Sequence, residues 1–137
     1  MLESDYALQL EKMTFAPTAG FMKGFIDLIF EHDGKFYLVD WKSNYLGPTF
    51  ESYKDKSLVE AMHEHLYTFQ YHLYTLALYQ YLKQHKPDFN YSSDFGGVFY
   101  IFLRGTGDSQ NPANGIYQGY PSLELIERMG RALIPGF

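Results

Sequence analysis

Two apolar segments early in the chain follow the pattern of a β-hairpin. Residues 21–30 and 35–43 are rich in Phe, Ile, Leu, Val and Tyr, and the polar stretch between them ends in Asp33-Gly34. Aromatic and β-branched side chains favour strands, and Asp-Gly is a common two-residue hairpin turn. A turn at that dipeptide fixes the register and predicts that Asp27 lies directly opposite Asp40.

A helical pattern follows the hairpin. Residues 57–60 have the Ser-x-x-Glu sequence of a capping box, which predicts a helix that begins there and runs to about Gln84. Such a helix would be roughly 40 Å long at 1.5 Å per residue. Its apolar positions recur at three, four or seven residues, with one slip: Leu58, Met62, Leu66, Phe69, Leu73, Leu76 and Leu82.

The last part of the chain predicts strands and a final helix. Residues 97–103 form a continuous apolar run, which is typical of a central strand covered on both faces. A short extended piece is expected around Ile116 and Tyr117, followed by a helix over about 122–133. With a short N-terminal helix over 1–13, the order is β-β-α-β-(β)-α. We expect an α/β fold in which helices flank a mixed β-sheet.

Length, composition and charge narrow the function. The chain has 137 residues without a repeat or linker, which predicts a single domain over 1–137, and 46% hydrophobic residues suffice for a packed core. A net charge of −5 argues against a broad basic surface for nucleic acid. The absence of cysteine excludes thiolate metal sites and thiol catalysis. Without a long apolar run or a signal-peptide pattern, we expect a soluble, cytoplasmic protein with no membrane partner.

The hairpin is where chemistry is expected. Alternation places Lys42 on the same face as Asp40, beside Asp27. Like charges that face each other destabilise a sheet unless a cation or a shared proton neutralises them. Two carboxylates and a backbone carbonyl near Trp41 suit Mg²⁺ or Mn²⁺, and Lys42 would stabilise charge on a phosphoryl transition state. The alternative is a surface salt bridge between Lys42 and either aspartate.

Five segments of the chain, taken in order, resemble a known family. The chain resembles the RecB nuclease-domain family, a branch of the PD-(D/E)XK nucleases, over about residues 20–120. The resemblance implies a restriction-endonuclease-like core in which Asp27 and Asp40 bind Mg²⁺ and Lys42 is the catalytic lysine. The matching segments are GFIDLIF at 24–30, YLVDWKSNYLG at 37–47, QYHLYTLAL at 70–78, FGGVFYIFLRG at 95–105 and GIY at 115–117.

Gln70 and Tyr74 match the family's Q-x-x-x-Y element, which implies a place in the catalytic site. Four residues apart on a helix, they project from one face. Without the resemblance they would be interpreted as a polar pair on a partly exposed stripe.

The residues just beyond Lys42 are candidates for DNA contact. Ser43 and Asn44 either bind DNA or hold the end of the strand, since both also favour turns. Tyr45 and Tyr53 are candidate stacking platforms for single-stranded DNA.

One part of the family pattern is absent. The family has a histidine metal ligand upstream of the first aspartate and an acidic residue on the helix before the first strand, whereas no histidine precedes Asp27 here. Glu11 is the candidate for the acidic residue. The departure predicts a fragment of a longer protein, or a shortened site that binds metal weakly.

The resemblance implies a function and partners. It implies a Mg²⁺-dependent DNA nuclease domain, in which Mn²⁺ can substitute, within a RecBCD-type helicase-nuclease for double-strand-break repair and recombination. DNA and RecC-like and RecD-like subunits would be its partners; the ATPase motor is not on this chain, which has no Walker-type loop. The alternatives are a non-catalytic docking module with a nuclease fold, or another PD-(D/E)XK exonuclease of Cas4-like or phage type.

Overall fold

A computed structural model describes residues 23–137 and contains the predicted hairpin. Strand β1 (Leu28–His32) pairs antiparallel with strand β2 (Lys35–Lys42), and His32 faces Lys35. The two turn residues between them have positive φ, 49° and 74°, which is the conformation that Asp-Gly adopts readily. The register is therefore as predicted. Strand β1 is shorter than expected, because residues 23–27 precede the strand; the predicted helix over 1–13 lies outside the described residues.

Two helices replace the single long helix that the sequence predicts. After a 3₁₀ helix (Phe50–Tyr53), helix α1 spans Asp55–Glu64 and helix α2 spans Tyr67–His85. The break comes at Leu66, whose backbone is left-handed with a φ of 56°. Leu66 is 62% exposed, so it does not belong to the buried apolar face. The predicted capping box is also wrong, because α1 begins before Ser57 and has no side-chain cap.

Within residues 23–137 the sheet has four strands in the order β1-β2-β3-β4. A short helix α3 (Tyr91–Asp94) leads into strand β3 (Phe95–Phe102), which pairs parallel with β2 and antiparallel with β4 (Ile116–Gly119). The apolar run thus forms a central strand and the sheet is mixed, as predicted.

The last helix and the core complete the architecture. Helix α4 spans Leu123–Leu133, and Ser122 caps it by accepting a hydrogen bond from the backbone N–H of Leu125 at 3.3 Å. The core includes side chains from the sheet and from helices α1, α2 and α4, among them Leu38, Val98, Phe102, Met62, Leu76 and Ile126. Alternation along β2 therefore turns Leu38, and with it Asp40 and Lys42, towards α2.

The opposite face of the sheet carries an aromatic row. Tyr37 stacks between Phe30 at 4.9 Å and Phe99 at 5.8 Å between ring centroids. Trp41 follows Tyr37 on this face and is partly exposed.

None of the helices described between residues 23 and 137 combines the length and the apolar character that a membrane crossing requires.

Candidate active site

An ion pair at the end of β2 forms the centre of the candidate site. The Lys42 ammonium nitrogen lies 2.6 Å from Oδ1 of Asp40, and the two side chains are only 12% and 8% exposed. The surface salt bridge considered from the sequence is therefore wrong in its location: the pair exists, but it lies between the sheet and α2. Burying two charges costs several kcal/mol per ion unless other groups compensate, so the surroundings of this pair matter.

Asp27 reaches the same end of β2 from the chain just ahead of β1. Backbone pairing between β1 and β2 ends at Leu28 opposite Val39, so Asp27 is the first residue outside the paired region. Oδ2 of Asp27 accepts a hydrogen bond from the backbone N–H of Trp41 at 3.0 Å. The Asp27 side chain therefore bonds to β2 where the backbone pairing of β1 has ended. The carboxylates of Asp27 and Asp40 consequently approach the same stretch of β2.

The pKa of Asp40 is raised mainly because the carboxyl group is buried. Burial raises the pKa of Asp40 above its usual value, the Lys42 ammonium opposes that rise, and the neighbouring charge of Asp27 adds to it. One lysine therefore does not offset both the burial and the second carboxylate. A further cation at this position would favour the ionised form of Asp40.

Gln70 connects the ion pair to helix α2. Its Oε1 accepts hydrogen bonds from the Lys42 ammonium at 3.1 Å and from the Tyr100 hydroxyl at 2.8 Å, while its Nε2 donates to the Tyr74 hydroxyl at 3.2 Å. Burial, followed by the charge of Asp40, raises the pKa of Tyr74. The structure thus brings both residues of the Q-x-x-x-Y element to the Asp40–Lys42 pair.

Two tyrosines beside Lys42 are absent from the sequence-based set. The Lys42 ammonium lies 3.9 Å from the ring centroid of Tyr67 and 5.1 Å from that of Tyr100. Tyr100 is the β3 partner of Asp40 in the parallel register. Periodicity marks Tyr100 as one more residue of an apolar strand, and it does not give the register between two strands that are far apart in sequence. Only the pairing of β2 with β3 reveals it.

The residues after Lys42 are held by the protein itself. The Tyr67 hydroxyl donates to Oδ1 of Asn44 at 3.1 Å, and the Tyr53 hydroxyl donates to the Asn44 carbonyl at 3.4 Å. The Ser43 carbonyl accepts a hydrogen bond from Nε of Arg104 at 2.9 Å. These contacts fit the interpretation in which Ser43 and Asn44 hold the strand end. Tyr53 is 2% exposed, so its ring is not accessible for a base to stack on.

The candidate donors suit an ion such as Mg²⁺, which keeps several water ligands, better than an ion that only protein side chains coordinate. Among residues 23–137, no three His, Cys, Asp or Glu side chains converge. The candidate oxygen donors at this strand end are the carboxylates of Asp27 and Asp40, together with the Trp41 carbonyl that the sequence suggests. Mg²⁺ commonly uses one or two carboxylates and keeps several waters, so these residues fit it. Glu11, the remaining candidate, lies outside the described residues.

Comparison with known proteins connects this chain with the family that its sequence resembles. A family model described as the PD-(D/E)XK nuclease superfamily matches residues 3–133. The RecBCD enzyme subunit RecB of Escherichia coli is 46% identical over 117 residues, which cover 85% of this chain. The protein of the same name from Haemophilus influenzae is 45% identical over 129 residues, or 93% of the chain. The match spans 10% of each of these two relatives.

Proposed function

Because this chain belongs to the PD-(D/E)XK nuclease superfamily and is homologous to RecB, we propose that it hydrolyses DNA phosphodiester bonds at the Asp27–Asp40–Lys42 site as a metal-dependent exodeoxyribonuclease. The observation that carries the proposal is the buried Asp40–Lys42 pair beside a second carboxylate. Removing two charged groups from water is costly, and their position at one strand end gives them access to a common substrate.

In this proposal Asp27, Asp40 and the Trp41 carbonyl hold Mg²⁺, for which Mn²⁺ can substitute. Nucleases of this superfamily generally use divalent metal ions, and the choice of ion follows from the hard oxygen donors. Such an ion polarises phosphoryl oxygens and lowers the pKa of coordinated water. The hydrogen bond from the Trp41 N–H fixes the Asp27 carboxylate, which limits the reorganisation that metal binding requires.

The chain's own side chains supply the remaining chemistry. The Lys42 ammonium donates to the oxygens of the scissile phosphate and stabilises the charge that develops there. Gln70 orients Lys42 through Oε1, and its amide group connects Lys42 to Tyr74. The Tyr74 hydroxyl accepts that bond.

The biological setting that we propose follows from the relatives. Both bear the name of a subunit of the RecBCD enzyme, and this chain corresponds to a tenth of their length. We propose that the chain is the nuclease domain of a RecBCD-type helicase-nuclease that acts on DNA in the cytoplasm with RecC-like and RecD-like subunits, in double-strand-break repair and recombination. The names support this setting over a Cas4-like or phage exonuclease.

The test compares cleavage of linear single-stranded DNA by the wild-type chain, Asp40→Asn and Lys42→Ala, with Mg²⁺, with Mn²⁺ and with EDTA. We expect cleavage only with a divalent ion and a fall of about a hundredfold or more in each variant, since one removed charge-stabilising group commonly has that effect. Lys35→Ala, at the opposite end of β2, is the matched control and should cleave normally.

Undiminished cleavage by both Asp40→Asn and Lys42→Ala would refute the site. A folded wild-type chain that cleaves no DNA with either ion would instead favour the docking module. Circular dichroism of each variant separates loss of chemistry from loss of fold.

A further inference from the structure

A cleft opens beside the end of β2, next to the candidate active site. Its volume is about 450 Å³, and its walls come from the loop after β2, the 3₁₀ helix over 50–53 and Arg104. Tyr45 lies three residues beyond Lys42, so their Cα atoms are at most about 11 Å apart. The cleft is therefore within reach of a strand whose scissile phosphate contacts Lys42.

The chemistry of the cleft is that of an aromatic plane beside one cation. Tyr45 is 66% exposed, and the guanidinium carbon of Arg104 lies 5.9 Å from its ring centroid. Among residues 23–137, Arg104 forms no ion pair with a carboxylate; its Nε is instead fixed by the Ser43 carbonyl. Its charge is consequently available to an anionic ligand, at a position set by the strand that carries Lys42.

The cleft is preformed. The buried Tyr53 hydroxyl accepts a hydrogen bond from the Leu46 backbone N–H at 3.1 Å, which holds the loop that carries Tyr45. Nδ2 of Asn114 donates to the carbonyls of Phe50 at 3.0 Å and Gly105 at 2.9 Å, so one buried amide connects the 3₁₀ helix to the segment that carries Arg104. A ligand in a preformed site pays little of the entropic cost of ordering its walls.

We propose that the cleft is a subsite for one unpaired nucleobase of single-stranded DNA, which stacks on Tyr45 while a flanking phosphate contacts Arg104. The inference rests on the proposed nuclease function and adds the residues that would bind one base and its phosphate beside the site. A base presents its flat face to a tyrosine only when it is unstacked and unpaired, which excludes the interior of a duplex. The single cation suits one phosphate rather than a long electrostatic track.

The experiment measures binding of fluorescently labelled oligo-dT by anisotropy in EDTA, where cleavage is suppressed. We expect Tyr45→Leu to weaken binding about tenfold and Tyr45→Phe to bind nearly as well as the wild type, because the ring face is retained. Arg104→Gln should reduce the slope of log affinity against log salt by about 0.7, the contribution of one phosphate contact on a single strand.

Tyr81→Leu is the matched control. Tyr81 is also an exposed tyrosine, 57% accessible, but it lies on α2 about 16 Å further along the helix axis than Gln70. Its replacement should leave binding unchanged. A strand of the same length with abasic sites should bind wild-type protein and Tyr45→Leu equally weakly, because it offers phosphates without bases.

The outcomes separate this inference from the proposed nuclease function. If the wild type cleaves DNA but Tyr45→Leu binds oligo-dT as tightly as wild type, the subsite is refuted and the nuclease stands. If binding follows the expected order but no metal supports cleavage, the subsite stands and the nuclease proposal fails. Equal loss of blunt duplex and oligo-dT binding in Tyr45→Leu would refute the preference for a single strand.

Discussion

At the scale of single residues, the environment of Lys42 is what distinguishes this site from an ordinary ion pair. Its ammonium group contacts a carboxylate, an amide oxygen and the faces of two aromatic rings. A lysine side chain has many rotamers, and restricting them is what positions its charge for a phosphate. We therefore expect Tyr67 and Tyr100 to be positioning residues, which would act on the substrate through Lys42 and Gln70.

We predict that Tyr67→Leu lowers the rate of DNA cleavage about tenfold. The ring of Tyr67 lies 3.9 Å from the ammonium, and a cation–π contact in a desolvated site contributes about 1 to 2 kcal/mol. Tyr67→Phe keeps the ring and loses only the hydrogen bond to Asn44, so it should retain most of the activity. The measurement is single-turnover cleavage at saturating metal.

A purely structural role for Tyr67 would give a different pattern. The two variants would then lose activity in proportion to their loss of stability in urea, and the conservative Phe substitution would not selectively rescue cleavage. Equal rates in Tyr67→Leu and Tyr67→Phe at equal stability would contradict the cation–π explanation.

At the scale of elements, the sequence predicts local structure better than the places where the chain changes direction. The Asp-Gly turn fixed the hairpin and hence brought Asp27 towards Asp40, because a two-residue turn allows one register. The pairing of β2 with β3 depends on tertiary packing, so Tyr100 could not be found from spacing. The sequence does not reveal the break between α1 and α2, because Leu66 continues the apolar period of a single helix.

We predict that Leu66→Asn stabilises the protein by about 1 kcal/mol. Leu66 has a φ of 56°, and a left-handed conformation costs a residue with a Cβ about 1 to 2 kcal/mol, less for Asn than for Leu. Its side chain is mostly exposed, so little apolar burial is lost. Urea denaturation should show a higher midpoint with an unchanged slope.

Leu103→Asn provides the comparison for that variant. Leu103 is similarly exposed but does not have a positive φ, so the same substitution should change stability by no more than about 0.5 kcal/mol. If Leu66→Asn is as stable as the wild type or less so, the left-handed residue is not a source of strain.

At the scale of the whole molecule, we expect the pH dependence of folding to reflect a histidine that is buried in the core. His72 is 1% exposed, stacks on Tyr71 at 4.4 Å between ring centroids and contacts the Thr68 carbonyl through Nδ1 at 2.6 Å. Burial lowers its pKa to about 4. The folded protein therefore keeps His72 neutral at pH values at which the unfolded chain is protonated.

We predict that this histidine makes the fold less stable in mild acid. The unfolded side chain gains its proton near pH 6.5, whereas the folded one does so near pH 4, so the unfolded state binds more protons between these values. The free energy of unfolding should thus fall as the pH is lowered from 6.5 to 4, by about 3 kcal/mol in total, and His72 should add no further loss below that range. Asp40 acts in the opposite direction, because its pKa is raised in the folded state.

The measurement is therefore a difference between variants: His72→Gln should be less stable at neutral pH but show a shallower decline between pH 6.5 and 4. His85→Gln should keep the wild-type decline, since His85 makes the same kind of contact, with the Tyr81 carbonyl, on the exposed side of α2. Parallel curves for the wild type and His72→Gln would show that burial of this imidazole is not what couples the fold to pH.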